Sequence, residues 1–455
     1  MSEIEERLAE LEQLGLARRL RLVSGPQGPS VLLDGSPVLL LCSNNYLGLA
    51  DHPRVREAAA EAAMRWGVGA GASRLVSGTM TIHRRLEERL AAFERREACL
   101  LFGSGYLANI GVIGALASRG DSVFSDELNH ASIIDGCRLS RAEVVVYRHK
   151  DVEHLDWCLQ RQSGSRNGHG GRLIVTDSVF SMDGDLAPLE EIVELANIHD
   201  ARVVVDEAHA TGNLGPHGRG AVAQAGLEHE IDVLVGTLGK ALGSYGAYVC
   251  ANEEMIRLLI NTARPLIFST APSPPAVAGA LAALELLDQR PQRVQRLRSN
   301  ARVLRRALAA EGFRVTDAEM HIVPLVVGDE DAAMRLCQAA IERGVFAQAI
   351  RPPTVPAGTS RLRLTAIASH TPSELCMAAG VLGESARAIG LDPKELGELV
   401  LERHPVASTG EREARAPAPL REGALAPFGV ERAGGSGAPR GPFDAERDTA
   451  IVRAA

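Results

Sequence analysis

The sequence predicts an α/β fold with a mainly parallel sheet that helices cover on both faces. Three observations support this prediction: short apolar runs recur along the chain, helical patterns separate most of them, and polar or glycine residues directly follow several runs. Apolar strands that alternate with helices are typical of a parallel sheet buried on both faces. In such a sheet, functional residues lie in loops at the carboxyl ends of the strands.

Seven apolar runs are the candidate strands of this sheet. They are ACLLF (98–102), SVFSD (122–126), EVVVY (143–147), RLIVTDS (172–178), RVVVDEA (202–208), DVLVGT (232–237) and GAYVC (246–250). Helical periodicity predicts helices between them, at 107–117, 151–162 and 188–199. A helical stretch at 274–310 precedes a smaller α/β unit, which has strands at 321–328 and 361–367 and helices near 331–343 and 372–389.

Four segments follow from this organisation. Residues 1–45 contain an amphipathic helix over the first 22 residues and a segment expected to pack on the smaller unit. Residues 46–285 form the large domain, and residues 286–392 form a small C-terminal α/β domain. Residues 393–455 are rich in Ala, Gly, Pro, Arg and Glu, so this tail is expected to be disordered.

Composition excludes several classes of function. The net charge of −8 gives no sign of a nucleic-acid or anionic-membrane surface, and no apolar run is long enough to cross a bilayer. The acidic N-terminal segment lacks the basic and apolar pattern of a signal peptide. Seven scattered cysteines without a C-x-x-C pair indicate reduced thiols. A cytoplasmic enzyme without partners among nucleic acids or membranes is therefore expected.

A glycine-rich turn follows the first strand in FGSGYLANIGVIGALA (102–117). Gly103, Gly105 and Ala108 fit a dinucleotide-binding fingerprint, and Asp126 ends the next strand. However, a helix N-terminus with free N–H groups can bind any phosphate. A phosphate site, an NAD site and a plain glycine turn all remain open at this point.

Lys240 follows a buried strand and lies between glycines in GTLGKALGSYGAYV (236–249). The phosphate-loop pattern fails because Leu234 replaces its first glycine and Ala241 its Ser/Thr. An exposed turn lysine remains open. So does a desolvated lysine, whose lowered pKa would make its amine nucleophilic.

Further candidates lie at other strand ends. Asp206 ends a strand and could hold a pyridinium N–H, and His209 could bond a phenolic oxygen. Both also suit a metal, but only His217 follows as a possible third ligand, so no metal is predicted. His130 precedes a helix and Ser181 lies in a loop, so a helix cap and a turn are the simpler interpretations. Together with Lys240 these residues supply the parts of a pyridoxal-phosphate site.

Eight stretches carry a resemblance to a known family. They are SNNYLGL (43–49), GAGASRLVSG (69–78), SGYLAN (104–109), NHASIIDG (129–136), VFSMDGDLAPL (179–189), VDEAHATGNLGPHGRG (205–220), TLGKALGSYGAY (237–248) and IRPPTVPAGTSRLRLT (350–365). On these stretches the sequence resembles the α-oxoamine synthases, a branch of the fold-type I pyridoxal-phosphate-dependent transferases. The resemblance extends to about residue 390.

The resemblance implies roles for particular residues. Lys240 would form a Schiff base with the cofactor and act as the catalytic base, Asp206 would pair with the pyridinium nitrogen, and His130 would stack on the ring and lie near the acyl group. The implied cofactor-binding residues are Gly105, Tyr106, Ser181, Asp206, His209, Thr237 and Lys240, with Ser269 and Thr270 reaching across a homodimer. The implied substrate-binding residues are Arg18, Asn44, His130, Arg351 and Thr354.

The resemblance also implies a reaction. Family members condense an amino acid with an acyl thioester and release CO₂. The segment 350–365 and Ser73 favour the alanine-using member of biotin biosynthesis, which uses a pimeloyl thioester, on coenzyme A or a carrier protein. Three alternatives remain open. Two lie within the same family: a glycine-using relative such as 2-amino-3-ketobutyrate CoA ligase, and a homologue in secondary metabolism. The third is an NAD-dependent oxidoreductase whose cofactor would bind at 102–126.

Overall fold

The computed structural model describes residues 2–13, 16–161, 170–316 and 318–398. These residues belong to the first of two compact units of the chain, residues 1–399; the second, residues 400–455, lies outside the described part. Within the described ranges, no helix is both long and apolar enough to span a membrane.

Fourteen strands and fourteen helices are assigned in the described residues. The strands are β1 Val23–Ser24, β2 Ser30–Leu33, β3 Ser36–Leu40, β4 Ala98–Phe102, β5 Ser122–Asp126, β6 Glu143–Tyr147, β7 Arg172–Asp177, β8 Ala201–Asp206, β9 Val233–Thr237, β10 Ala247–Ala251, β11 Ile322–Gly328, β12 Val345–Phe346, β13 Gln348–Ile350 and β14 Ser360–Thr365. The helices are α1 Glu3–Gln13, α2 Pro53–Trp66, α3 Thr81–Phe93, α4 Gly105–Leu116, α5 Ala131–Ser140, α6 Val152–Arg161, α7 Leu189–His199, α8 Ala221–Ala225, α9 Glu253–Thr262, α10 Arg264–Ile267, α11 Pro274–Gln289, α12 Gln292–Ala310, α13 Glu330–Glu342 and α14 Pro372–Ala388.

The central sheet confirms the predicted fold class. Its seven strands have the order β4-β10-β9-β8-β7-β5-β6, and only β10 runs antiparallel to its neighbours. All seven predicted strands are present within about two residues of their expected bounds. Because the side chains of a strand alternate between its two faces, Val203 and Val205 enter one hydrophobic core and Val204 enters the other. The sheet is thus buried on both faces.

Two helical predictions need correction. The N-terminal helix ends at Gln13, and residues 16–22 are not helical. The predicted helix over 274–310 is two helices, α11 and α12, with a break at Arg290 and Pro291. Proline has no backbone N–H and disfavours a helical conformation in the residue before it, so the chain turns there and starts a new helix.

Two smaller sheets lie beside the central one. Their orders are β1-β2-β3-β12 and β11-β14-β13, and β3 pairs in parallel with β12. A separate hydrophobic core joins residues of β2 and β3 to α12, α13 and α14. Residues 393–398, which the sequence analysis assigned to the tail, include a short 3-10 helix at Pro393–Glu395 and the buried Leu396. The rest of the predicted tail lies outside the described residues, and the domain boundaries stay a prediction.

Candidate active site

A cavity of about 210 Å³ opens where several parallel strands of the central sheet end. Five predicted site residues line it: Asn44, His130, Ser181, His209 and Lys240. Five residues that the sequence analysis did not select complete the lining: Cys42, Met182, Gln348, Ile350 and Arg363. Strands β7 and β8 are in register at Asp177 and Asp206, so both carboxyl groups lie at this edge. The fold therefore brings the core of the predicted site together.

Lys240 occupies the loop that follows β9. Its Nζ atom lies 3.0 Å from His209 Nε2. Burial lowers the pKa of Lys240 to about 8, although the charge of Asp206 opposes this shift. Roughly a tenth of the amine is therefore uncharged at pH 7, against less than a thousandth at the ordinary lysine pKa of about 10.4, and this form can act as a nucleophile or base. The interpretation of Lys240 as an exposed turn residue is wrong.

The turn around Lys240 depends on Gly243 for packing. This residue has φ +60°, and a Cβ there would approach within 2.4 Å of the Ala50 backbone nitrogen. Any side chain would push the loop away from residues 49–50. Gly243 thus holds the lysine loop against the segment that begins at Asn44.

A hydrogen-bond chain fixes the tautomer of His209. Tyr46 Oη donates to Asn44 Oδ1 at 3.0 Å and lies 2.6 Å from His209 Nδ1. The Tyr46 hydroxyl proton is already engaged in the hydrogen bond to Asn44, so the hydroxyl oxygen can only accept from His209. His209 Nδ1–H therefore donates to Tyr46, and Nε2 accepts from Lys240. Burial, followed by the positive charge of Lys240, lowers the pKa of His209 well below its usual value. The imidazole is therefore neutral, as this arrangement requires.

Asp206 is oriented by a buried amide. Asn109 Nδ2 donates to Asp206 Oδ2 at 2.7 Å and to Ser132 Oγ at 2.8 Å. Asp177 accepts the His130 backbone N–H at 2.7 Å, and burial together with the charge of Asp206 raises the pKa of Asp177 well above its usual value. A protonated Asp177 beside Asp206 removes one of two repelling charges, so Asp206 can carry the charge that a pyridinium partner needs.

His130 caps helix α5, as its position in the sequence suggested. Its Nδ1 atom accepts a hydrogen bond from the Ser132 backbone N–H at 3.3 Å. Desolvation lowers the pKa of His130, although its ring is exposed towards the cavity. In the neutral ring, the proton then resides on Nε2, which is left free to donate.

The predicted phosphate residues lie along the same sheet edge. Phe102 of β4 and Thr237 of β9 both align with Ala247 of β10, so helix α4, which begins at Gly105, starts close to Thr237. Ser104 caps this helix by accepting from Leu107 N at 3.2 Å, which leaves other N–H groups of the first turn to bind an anion. The side chain of Tyr106 turns away and bonds Asp135.

Asp126 does not support a dinucleotide site. One of its oxygens accepts from Leu128 N at 2.9 Å and contacts His149 Nδ1 at 2.9 Å. The other accepts from Lys150 N at 2.9 Å. A ribose hydroxyl would have to displace these partners, so the fingerprint at 103–108 is better explained as a phosphate turn.

Arg363 is a site residue that the sequence analysis missed. It is buried, donates to Asn44 Oδ1 and Tyr46 Oη at 3.3 Å each, and also bonds the Ser181 carbonyl. Strand β14 reads SRLRLT, and Arg361 and Arg363 are two residues apart, so both project from one face. Arg361 pairs with Asp183 in the loop of Ser181. Two arginines on one face of a strand whose other residues are two leucines, a serine and a threonine, all buried, were the available signal.

Besides Gly105, Tyr106, Asp206 and Thr237, five more predicted residues do not line the cavity of this single chain. Arg351 Nη2 donates to the Ala17 carbonyl, whereas Arg18 and Thr354 are exposed. Ser269 and Thr270 are on the surface, and Thr270 forms a bridge with Ser73. Their assigned roles stay predictions.

The residues present fit pyridoxal phosphate. The site offers an amine with a lowered pKa, an oriented carboxylate, a neutral imidazole that already contacts the amine, and a helix N-terminus for a phosphate. These are the groups that bind this cofactor in its enzymes. Burial also raises the pKa of the Cys42 thiol to about 12, so this cavity residue does not compete with Lys240 as a nucleophile.

Known proteins agree with this site. Residues 36–382 match the profile of the family "aminotransferase class I and II". The 8-amino-7-oxononanoate synthase of Citrifermentans bemidjiense is 49% identical over 393 residues, which are 86% of this chain and 100% of the relative.

Solved structures show the same fold. A serine palmitoyltransferase from S. paucimobilis, solved with bound PLP and myriocin, has a TM-score of 0.80 and 35% identity and covers 86% of this chain and 98% of its own. An 8-amino-7-oxononanoate synthase from Francisella tularensis has a TM-score of 0.66 and 26% identity, with coverage of 77% and 98%. The resemblance inferred from the motifs is confirmed. The chain belongs to the aminotransferase class I and II family, and a curated relative that it matches along the whole of that relative's length is an 8-amino-7-oxononanoate synthase.

Proposed function

We propose that the protein is a pyridoxal-phosphate-dependent acyltransferase that condenses L-alanine with a pimeloyl thioester. The products are 8-amino-7-oxononanoate, CO₂ and the free thiol. The observation that carries the proposal is the cavity in which the Lys240 amine contacts neutral His209 beside Arg363 and His130. Relatives that carry the name of this enzyme support the choice of substrates.

Residues already described would hold the cofactor. Lys240 binds it covalently, Asp206 pairs with its ring nitrogen, His209 with its phenolic oxygen, and the start of α4 with Thr237 binds its phosphate. Bound there, pyridoxal phosphate supplies an electron sink for a substrate carbanion.

The chain's own groups then position and deprotonate the substrate. Arg363 and Asn44 bind the carboxylate of alanine, because an arginine can bind a carboxylate through two parallel hydrogen bonds. This assignment replaces the proposed role of Arg351, whose guanidinium is bonded to Ala17. Once the amine of alanine has taken its place on the cofactor, the released Lys240 amine would remove the α-proton, for which a pKa of about 8 suits it near neutral pH.

His130 acts on the acyl donor. Its Nδ1 atom accepts from Ser132, so the ring proton resides on Nε2, and the ring lines the cavity in which the substrate would bind. There it donates to the carbonyl oxygen of the thioester and stabilises the negative charge that develops during attack. A neutral histidine suits this role, and its lowered pKa keeps it neutral.

A homodimer completes the proposal. The exposed side chains Leu75, Val76 and Phe268 lie on the two segments joined by the Ser73–Thr270 bridge. Exposed apolar side chains in neighbouring segments are typical of a protein interface. A second copy covering them would explain Ser269 and Thr270 as ligands of the partner's phosphate. Phe268→Glu is expected to yield monomers in light scattering, whereas the equally exposed Ile198→Glu stays dimeric; a dimeric Phe268→Glu protein would contradict this interface.

Product mass tests the reaction. The protein with pyridoxal phosphate is incubated with L-alanine, glycine or L-serine and with pimeloyl-CoA or a pimeloyl carrier protein. The mass of 8-amino-7-oxononanoate is expected with alanine alone. The fold similarity to serine palmitoyltransferase makes a serine-using enzyme the second candidate. A product from serine or glycine, and none from alanine, would establish another α-oxoamine synthase.

A further inference from the structure

The cavity around Lys240 lies between two sheets of the fold. One wall carries His130, His209 and Lys240, which follow strands of the central sheet. Another wall carries Ile350 and Arg363, which belong to β13 and β14 of a smaller sheet. Arg363 can reach a substrate at Lys240 only if the two sheets keep a fixed separation. The contacts that join the sheets therefore contribute to the geometry of the site.

The loop at 181–184 is one of these contacts. It follows β7 of the central sheet, and the Gly184 backbone N–H donates to the Phe180 carbonyl at 2.8 Å, which closes a tight turn. Gly184 has φ +70°, and a Cβ there would lie 2.7 Å from the carbonyl oxygen of Ile322 in β11. The loop thus lies directly on the backbone of the smaller sheet, and its Met182 lines the cavity.

Arg361 holds this loop from strand β14. Its side chain is 2% exposed and forms an ion pair with Asp183, and its Nη1 atom also donates to the Met182 carbonyl at 3.5 Å. Arg363, which projects from the same face of β14, donates to the Ser181 carbonyl. A buried guanidinium is costly without a partner, so Arg361 stays against Asp183. The two arginines together fix three consecutive residues of the loop to β14.

We propose that Arg361 is a positioning residue, which keeps Arg363 at the correct distance from Lys240 by locking the 181–184 loop to β14. This role rests on the proposed function, in which Arg363 binds the carboxylate of the amino acid. Arg361 itself does not line the cavity. Binding a carboxylate through two parallel hydrogen bonds requires precise placement, so a small displacement of β14 weakens it.

The affinity for L-alanine measures this role. Calorimetric titration uses the full chain loaded with pyridoxal phosphate, without an acyl donor, and compares Arg361→Gln, Arg361→Lys, Asp183→Asn and the double variant of Arg361→Gln with Asp183→Asn. The matched control is Arg219→Gln. It breaks another buried ion pair, with Glu228 at 2.9 Å, and neither residue lines the cavity. If Arg361→Gln does not fold, Asp183→Asn tests the same contact from its more exposed partner.

Arg361→Gln and Asp183→Asn should each weaken alanine binding by about tenfold, because Arg363 shifts relative to Lys240. The double variant should bind about as weakly as either single variant, since all three lose the same contact; independent effects would multiply to about a hundredfold. Arg361→Lys should recover part of the affinity. Arg219→Gln should bind within about twofold of the unmodified protein, although its melting temperature falls as that of Arg361→Gln does.

Unchanged alanine affinity in Arg361→Gln and Asp183→Asn, or an equal loss in Arg219→Gln, would overturn the role of Arg361. Alanine binding needs no acyl donor, so an incorrect donor does not affect this result. Glycine and L-serine carry the same carboxylate, and they replace alanine in the titration if alanine alone fails to bind. That outcome would contradict only the proposed function. Failure of all three amino acids to bind the unmodified protein would overturn both proposals.

Discussion

Two groups of buried ionisable residues lie at the same edge of the central sheet and differ in how their charges are paired. The paired cluster consists of His149, Lys150, Asp126 and Asp185. In it, His149 contacts Asp126 at 2.9 Å and Asp185 at 3.0 Å, and Lys150 contacts Asp185 at 2.8 Å. Every cation there meets a carboxylate. These hydrogen bonds and charges raise the pKa of His149 to about 9 despite its burial.

The lysine cluster consists of Lys240, His209, Tyr46 and Arg363. In it, Lys240 Nζ lies 3.0 Å from Nε2 of the neutral His209. Among the described residues, no carboxylate lies within ion-pair distance of this amine. Burial therefore lowers the pKa of Lys240 to about 8, because no adjacent carboxylate offsets the loss of water around the amine. The same residue types thus stabilise the fold where they are paired, and become reactive where a cation lacks a counter-ion beside a cavity.

The largest expected effect is a difference in catalytic rate between variants of Lys240 and of Lys150. Lys240→Ala should lower kcat by about 10⁴-fold or more and abolish the visible absorption of lysine-bound cofactor, because the covalent link and the base are both lost. Lys150→Ala should keep the absorption band and lose less than about tenfold in rate, since it only removes a partner of Asp185. Spectra and initial rates of the purified variants check both. An intact band in Lys240→Ala would refute its covalent role.

The second largest effect is expected from the loss of the Asp206 carboxylate. Asp206→Asn should lower kcat by about 10²- to 10³-fold, because a neutral amide no longer favours a protonated ring nitrogen. Its melting temperature should fall, because both carboxylate oxygens accept N–H groups, from Asn109 Nδ2 and from the Ala208 backbone, and the amide turns an N–H towards one of these donors. Initial rates measure the change in kcat, and calorimetry measures the melting temperature. Normal turnover in Asp206→Asn would show that the carboxylate has no electronic role.

A smaller effect distinguishes two arginines. Arg363→Gln should raise the KM for L-alanine by about 10- to 100-fold, because a bidentate partner of the carboxylate is lost. Arg363→Lys should recover part of this. Arg351→Gln should change the KM by less than about threefold, since Arg351 bonds Ala17. The opposite ranking of the two variants would restore Arg351 as the carboxylate-binding residue.

The smallest effect is on stability in the paired cluster. The pKa of His149 is raised, so its contribution is fully present below pH of about 6.5 and is lost as the pH rises through about 9. His149→Gln should lower the free energy of unfolding by about 2–3 kcal/mol at pH 6 and by much less at pH 10. Urea unfolding at both pH values measures the difference. A loss that is equal at both would mean that His149 acts by packing alone.

The sequence was sufficient to predict those features that depend on residues close together along the chain. The seven strands were predicted correctly because short runs rich in β-branched and apolar residues, bounded by polar residues or glycine, are typical of strands buried on both faces of a sheet. Lys240, Asp206, His209, His130 and Ser181 were found because each follows a predicted strand or starts a helix. Residues whose roles depend on distant neighbours were missed. Tyr46 and Asn109 are 163 and 97 residues from the side chains they orient, and no spacing rule links them.

By itself the sequence determined the fold class and the cofactor chemistry and singled out Lys240 as the candidate reactive lysine, because strand periodicity and short motifs depend on neighbours along the chain. Only the tertiary structure decided which arginine faces that lysine and which tautomer His209 adopts. Only the structure explained why Gly243 is a glycine. The reason is physical: charge pairing, burial and close backbone contact are set by residues that meet in space, such as Gly243 and Ala50, and sequence separation does not encode those distances.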